Sequence, residues 1–262
     1  MRYARVLLPT GPAWARLDGS TVVILTSAPY NGGVPCGEAF LPSVRLLAPC
    51  EPMKIIGVGL NYENHRDDRE SSDRLLASVV SGTLRAQSNP LLFLKPPTSV
   101  IGPGDAIVLP PESQRVDYEA ELAVVVGRRL WRPRREEAQD AIFGYTCAND
   151  VTARDLQQLD VQWTRAKAFD TFCPVGPWIE TDLDPAQVMV RGRLNGETRQ
   201  EAPAKAMLAD VVELVRFSAA VMTLLPGDVL LTGTPAGTAE LQRGDVYVVQ
   251  IDGVGELENP VV

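Results

Sequence analysis

The sequence has a single histidine, His65, in 262 residues, and its four cysteines, Cys36, Cys50, Cys147 and Cys173, form no CxxC pair. No paired His or Cys is therefore available for a soft-metal site, and no dense cysteine framework for a disulfide scaffold; the thiols read as reduced, as in a cytosolic protein. Positive charge is also short. Twenty-five basic residues against 33 acidic ones leave a net charge of -8, which repels nucleic acid and anionic membrane surfaces. No run approaches the roughly 20 apolar residues that span a bilayer. Residues 1–9 carry two arginines and an apolar run too brief for a signal-peptide core. These absences predict a soluble, cytoplasmic protein with neither a nucleic-acid nor a membrane partner.

The length suits one large domain or a main domain with a small appendage. Residues 3–8 and 22–25 are short apolar runs between Gly and Pro turns, the pattern of a small strand-rich lobe. A boundary falls at residues 50–53, giving a small β-rich domain over 1–52 and a main domain over 53–262. Ile55, Ile56, Gly57, Val58 and Gly59 read as a buried strand that delivers the polar segment 61–65 to its end, as a loop or short helix over a site. Between 66 and 89, Leu75, Leu76, Val79 and Val80 stand at helical spacing, either a lid or a surface helix. Strand-like runs follow at 91–94, 106–109, 122–126 and 142–146, then at 229–231 and 246–251. Asn195-Gly196 between 188–193 and 198–201 predicts a tight hairpin. Asp210, with Glu213 three residues on, opens an amphipathic helix that Pro226 and Gly227 end. The fold class is mainly β, of the α+β kind.

The chemistry gathers around acids. In Asp117-Tyr118-Glu119-Ala120-Glu121-Leu122, the period of two puts Glu119 and Glu121 on one face of a strand. Two like charges so close, running into an apolar strand, raise each other's pKa unless a cation sits between them. The alternative is an edge strand with both acids in solvent. Asp150 lies between a strand-like run and the helix-like 152–159, where it is either a third ligand or a helix N-cap. Three carboxylates would favour a hard cation, Mg²⁺ or Mn²⁺ ahead of Zn²⁺, with Ca²⁺ also possible. His65 stands one helical turn from Asp68, so the acid can raise its basicity as a general base requires, unless the histidine is incidental to a polar loop. Lys167, between Ala166 and Ala168, is either partly desolvated near the metal or a surface lysine. Thr232-Gly233-Thr234-Pro235 either presents donors to a carboxylate or turns the chain, and it lacks the lysine of a phosphate loop.

Taken as an ordered set, several segments resemble the fumarylacetoacetate hydrolase family. They are Gly57-Val58-Gly59-Leu60-Asn61-Tyr62 with His65, Phe93-Leu94-Lys95-Pro96, Tyr118-Glu119-Ala120-Glu121-Leu122, Asn149-Asp150-Val151-Thr152-Ala153-Arg154-Asp155, Arg165-Ala166-Lys167, Leu194-Asn195-Gly196-Glu197 and Leu231-Thr232-Gly233-Thr234-Pro235. The ending Glu256-Leu257-Glu258-Asn259-Pro260 is similar to that of hydroxyheptadienedioate isomerases. The resemblance implies a rolled β-sheet around the site, a small N-terminal domain and a homodimer. It also implies Glu119, Glu121 and Asp150 as metal ligands, His65 with Asp68 as the dyad that activates water, and Lys167 as the active-site lysine. Arg154, Gln157 and Thr234 match substrate-contacting positions. Two departures matter: residues 66–89 are about a dozen longer than in many small relatives, and Asp68 stands where relatives commonly carry Glu.

The expected reaction begins with a 2-oxo acid of the acylpyruvate type, whose carboxylate and 2-oxo group are gripped by the ion. Negative charge then develops at the enolate oxygen as water, activated by His65, attacks C4 and the C3–C4 bond breaks. Isomerisation of a hydroxyheptadienedioate, or decarboxylation or tautomerisation of an oxaloacetate-type acid, would use the same enolate without water attack. A non-catalytic dicarboxylate-binding protein is the alternative of another class.

Overall fold

In the computed structural model, residues 1–63 and 89–262 are described; His65, Asp68 and the helical spacing at Leu75 to Val80 lie outside them. The first fifty residues supply β1 (Arg2–Leu8), β2 (Gly11–Asp18), β3 (Thr21–Leu25), β4 (Pro35–Phe40) and β5 (Arg45–Leu47). The chain continues through β6 (Ile55–Gly59), β7 (Leu91–Lys95), β8 (Val100–Ile101), β9 (Val116–Asp117), β10 (Ala120–Val126), β11 (Ile142–Asn149), β12 (Thr152–Ala153) and β13 (Cys173–Glu180). Last come β14 (Met189–Leu194), β15 (Glu197–Pro203), β16 (Val229–Leu231), β17 (Val246–Ile251) and β18 (Gly255–Pro260). Helices are short: α1 (Arg135–Gln139), α2 (Arg154–Leu159), α3 (Thr164–Lys167) and α4 (Val211–Val221). The fold is mainly β, as expected.

The large sheet runs β4-β3-β2-β1-β13-β11-β10-β16-β6-β7, with β5 on β1 and β8 on β13. The N-terminal strands thus continue the central sheet, because β1 lies antiparallel to β13 with Arg2 opposite Glu180 and Tyr3 opposite Ile179. A second sheet, β15-β14-β17-β18, packs against the first. The Asn195-Gly196 turn between β14 and β15 has both residues at positive φ, 51° and 84°, as a two-residue hairpin of matching twist needs.

β10 is buried on both faces, which decides the site's location. Tyr118, Ala120, Leu122, Val124 and Val126 face one apolar core, whereas Ala123 and Val125 face another beneath β11, β13 and β16. Alternation places Glu119 and Glu121 on this second side, and β10 sits between β11 and β16. The solvent-exposed edge is therefore overturned.

Two other expectations are corrected, and one strand was not anticipated. Residues 106–109 form no full strand but a single bridge, Ile107 to Val261, with the Ile107 N–H donating to the Pro260 carbonyl at 2.8 Å and the Leu109 N–H to the Val262 carbonyl at 2.9 Å. The strand β18 was not expected: its acids Glu256 and Glu258 point out while Leu257 and Asn259 point in, an alternation masked by its polar composition. Helix α4 stops at Val221, short of Pro226, because Leu224 leaves the helical path to exchange backbone hydrogen bonds with Leu130 at 2.9 and 3.0 Å.

At the other end of α4, the Asp210 carboxylate accepts from the Glu213 N–H at 2.8 Å, while the Glu213 carboxylate turns to Arg216. The N-cap is formed without its reciprocal bond. Asp210→Ala should lower stability by about 1 kcal/mol, the exposed Arg135 pair adding little, read as a fall in the urea midpoint. Partial burial raises the Asp210 pKa, but Arg135 and the Glu213 amide together bring it below its ordinary 3.8. The contribution is therefore present above about pH 3.8 and lost as pH falls through the depressed value. An unchanged midpoint at neutral pH would mean that packing of Leu214 and Val215 holds the helix without the cap.

Candidate metal centre

Register brings the carboxylates together. Ala120 pairs with Asn149 across β10 and β11, so Glu119 and Asp150 are the next residues beyond the ladder. Two further bonds lock them: the Asp150 N–H donates to the Glu119 carbonyl at 2.9 Å, and the Glu119 N–H donates to Asn149 Oδ1 at 2.9 Å. Glu121, one pleat along β10, completes the group. One ligand oxygen from each of Glu119, Glu121 and Asp150 lies within 4.8 Å of the others, and all three residues are buried. Asp150 is not a helix cap, since α2 begins at Arg154 with Ala153 in that position.

Glu121 is gripped by the segment after β16. The Gly233 N–H donates to Glu121 Oε2 at 2.6 Å, and Thr232 and Thr234 donate their hydroxyls to Leu122 and Ala120 carbonyls, each at 2.8 Å. Gly233 has φ 96°, and a Cβ there would stand 2.8 Å from Asn61 Cβ, so only glycine fits. Asn61 in turn donates to the Thr232 carbonyl at 2.8 Å. Thr234 also accepts from Gln200, so its hydroxyl already has protein partners on both sides while the residue lines the cleft.

Countercharge comes from three buried cations. Lys167 Nζ lies 3.0 Å from Glu119 Oε2 and 2.5 Å from Asp150 Oδ2, and 4.7 Å from the centre of the Phe93 ring. It is no surface lysine. Lys95 Nζ reaches Asp150 Oδ1 at 2.7 Å and donates to the Val151 carbonyl at 3.0 Å. Sequence reasoning quoted Lys95 in a motif but gave it no role, although it shares strand parity with Phe93. The Arg154 guanidinium donates to Asp117 at 2.8 Å, to Gln157 Oε1 at 2.6 Å and to Glu119 Oε1 at 2.5 Å. Burial alone would lower the Arg154 pKa; Glu119 and Asp117 more than reverse this.

Four buried carboxylates, Asp117, Glu119, Glu121 and Asp150, thus meet three buried cations, Lys95, Arg154 and Lys167, and the half-exposed Arg115 also reaches Asp117 at 3.0 Å. No cation among the described residues stands at ion-pair distance from Glu121. Burial, then Asp150, then Glu119 push its carboxyl well above the ordinary range, with Lys167 and the Gly233 amide only partly opposing them. An all-oxygen donor set of three buried, closely gathered carboxylates fits a hard divalent cation held by Glu119, Glu121 and Asp150.

The cleft over the triad is also lined by Gln157, Thr234, Lys167 and Trp163. Gln157, one helical turn from Arg154, has its Oε1 held by that residue, and its buried Nε2 finds no hydrogen-bond partner among the described residues. The structure therefore gathers Glu119, Glu121, Asp150, Lys167, Gln157 and Thr234 around one cleft, with Arg154 behind Glu119.

A buried acidic triad flanked by lysines in a mainly β fold defines a candidate divalent-metal enzyme. The chain belongs to the fumarylacetoacetate hydrolase family: the model for the fumarylacetoacetate hydrolase C-terminal region matches residues 54–262, and an Rv2993c-like N-terminal model matches residues 1–49. It is 43% identical to Protein Rv2993c of Mycobacterium tuberculosis over 273 aligned positions, covering 100% of this chain and 98% of that one. The 2-hydroxyhepta-2,4-diene-1,7-dioate isomerase of Mycobacterium marinum superposes with a TM-score of 0.88 at 41% identity, covering 100% of this chain and 98% of that one. The mitochondrial oxaloacetate tautomerase fahd2 of Xenopus laevis is 39% identical, over 94% of this chain and 84% of that protein. Among the described residues no helix is long and apolar enough to cross a membrane.

Proposed function

We propose that this chain is a divalent-metal-dependent enzyme that takes a small 2-oxo acid of the acylpyruvate type and cleaves its C3–C4 bond by hydrolysis through an enolate. The observation that carries the reading is the convergence of Glu119, Glu121 and Asp150 within 4.8 Å, buried beside Lys167 at the base of a cleft. A Mg²⁺ or Mn²⁺ ion held there would supply positive charge against the substrate carboxylate and 2-oxo group, easing charge development on the 2-oxo oxygen. Lys167 keeps an ammonium beside the reacting oxygens, in a buried setting where fixed charge acts strongly. The neutral Gln157 Nε2 donor, aimed by Arg154, orients the acid head. His65, backed by Asp68, takes a proton from water, whose oxygen bonds to C4. As C3–C4 breaks, its electron pair moves to the pyruvyl enolate, the tail leaves as a carboxylic acid, and the proton held by His65 passes to C3 to give pyruvate. The same reading takes residues 1–52 as a small N-terminal domain and 53–262 as the catalytic domain, in a cytoplasmic homodimer.

A second reading, isomerisation or tautomerisation without water attack, is supported by similarity to a structure named as an isomerase and to a protein named as an oxaloacetate tautomerase. A panel of acylpyruvates, oxaloacetate and a hydroxydienedioate, assayed with Mg²⁺ and again with EDTA, separates the two. Pyruvate plus a carboxylic acid, formed only with metal, is the expected result. A metal-dependent spectral shift with neither pyruvate nor CO₂ would establish the second reading, and CO₂ release would establish decarboxylation. Metal-dependent oxalate binding without turnover would make the chain a binding protein.

A further inference from the structure

The cleft has two kinds of wall. The base is charged, but each cation there among the described residues is already committed: Lys95 and Lys167 to Asp150, Lys167 and Arg154 to Glu119, and Arg154 also to Asp117. Arg165, the cation closest in sequence to Trp163, is turned to Asp160 at 2.7 and 2.8 Å. The rest of the described lining is two neutral polar residues, Gln157 and Thr234, and an apolar group, Val58, Leu60, Phe93 and Trp163.

That apolar wall is built with care. Phe93 and Trp163 meet edge to face, with centroids 5.6 Å apart, and both seat directly on the β6 backbone. A Cβ on Gly57 would stand 2.1 Å from the Phe93 ring, and one on Gly59 would stand 2.8 Å from Trp163. Leu60 follows with φ 60°, a left-handed conformation that suits glycine or asparagine better than leucine. Strain of this kind persists at a cleft where the side chain has a use. Here the use is to present an isobutyl group rather than a polar one.

We infer that the group carried beyond the 2-oxo acid head is uncharged and apolar, an alkyl or aryl tail seated on Leu60, Phe93 and Trp163. This rests on the reading that the cleft takes a 2-oxo acid. A second carboxylate on the tail would lose its hydration against these walls without a free cation among the described residues to meet it.

The test is calorimetric titration of the Mg²⁺-loaded protein with a matched pair, 2-oxohexanoate and 2-oxohexanedioate, which share a chain length and differ in the terminal carboxylate. The mono-acid should bind at least about tenfold more tightly. Equal or tighter binding of the diacid overturns the inference. Leu60→Arg, which places a cation on the wall, should reverse the preference; Trp163→Ala should weaken the mono-acid while leaving pyruvate, which has no tail, within about twofold. If the diacid remains disfavoured in Leu60→Arg and Trp163→Ala weakens pyruvate equally, the wall does not select the tail. Binding is measured apart from turnover. Failure of every 2-oxo acid to react would overturn the proposed reaction while leaving the binding preference to stand or fall alone.

Discussion

Glu121→Gln should sharply reduce metal-dependent turnover while leaving the metal-free chain at least as stable as the parent. The two effects separate because Glu121 is the ligand that the fold itself charges least willingly. Burial, Asp150 and Glu119 raise its pKa well above 4.5, so the folded chain retains a proton that the unfolded chain releases. The sign follows from linkage: metal-free protein loses stability as pH rises from about 4.5 through the raised folded value. Glutamine removes that slope, keeps an oxygen to accept from the Gly233 N–H, and offers Glu119 and Asp150 an amide donor. A bound cation works in the opposite sense, competing with the proton, so Mg²⁺ should stabilise the parent increasingly as pH rises. In Glu121→Gln, Mg²⁺ affinity should fall by more than the about 10–100-fold typical of losing a ligand's hydrogen-bonded partner. The value of kcat/KM should fall about a thousandfold. Melting curves from pH 5 to 8, with Mg²⁺ and with EDTA, read both effects. Equal stabilisation of parent and variant by Mg²⁺ would remove Glu121 from the ligand set.

The constellation was legible where local rules suffice. The alternation in 118–126 assigned both glutamates to one face, and Asn195-Gly196 announced its hairpin, since each depends on neighbouring residues only. Whether that face met solvent or core depended on sheet order, which places β10 between β11 and β16 through contacts far apart in sequence. Without that order, Glu119 and Glu121 stayed balanced between edge and metal until the ordered motifs of a family were added. Lys95 shows the complementary failure. A lysine after Leu91-Leu92-Phe93-Leu94 reads as the charged end of a strand, yet it is 1% exposed because Asp150, 55 residues later, turns its carboxylate to meet it. Trp163 was equally silent, as nothing local says that an aromatic before a four-residue helix will lie on a glycine 104 positions earlier. Helix α4 ended early for the same kind of reason, a tertiary pairing of Leu224 with Leu130 that propensity cannot register.

Asp150→Ala should be the most destabilising single change in the site, by about 3–5 kcal/mol in metal-free protein. Asp150 is 1% exposed and is shared by two ammonium groups, Lys95 on one oxygen and Lys167 on the other. After truncation Lys167 keeps Glu119, but among the described residues Lys95 keeps only the Val151 carbonyl. A buried lysine with a single neutral acceptor pays most of its desolvation without compensation. The partner variant isolates this term. Lys95→Met removes the stranded charge, so Lys95→Met with Asp150→Ala should recover about 2 kcal/mol or more relative to Asp150→Ala alone. Urea denaturation of the four members of this cycle, all in EDTA, measures the coupling directly. If the double variant is no more stable than Asp150→Ala, Lys95 is not held by Asp150 in the metal-free fold, and its burial needs another account. The cycle also bears on assembly of the centre. Lys95 and Lys167 hold Asp150 in place between them before any ion arrives, so the ligand oxygens are positioned by the fold, and binding need not supply the cost of ordering them.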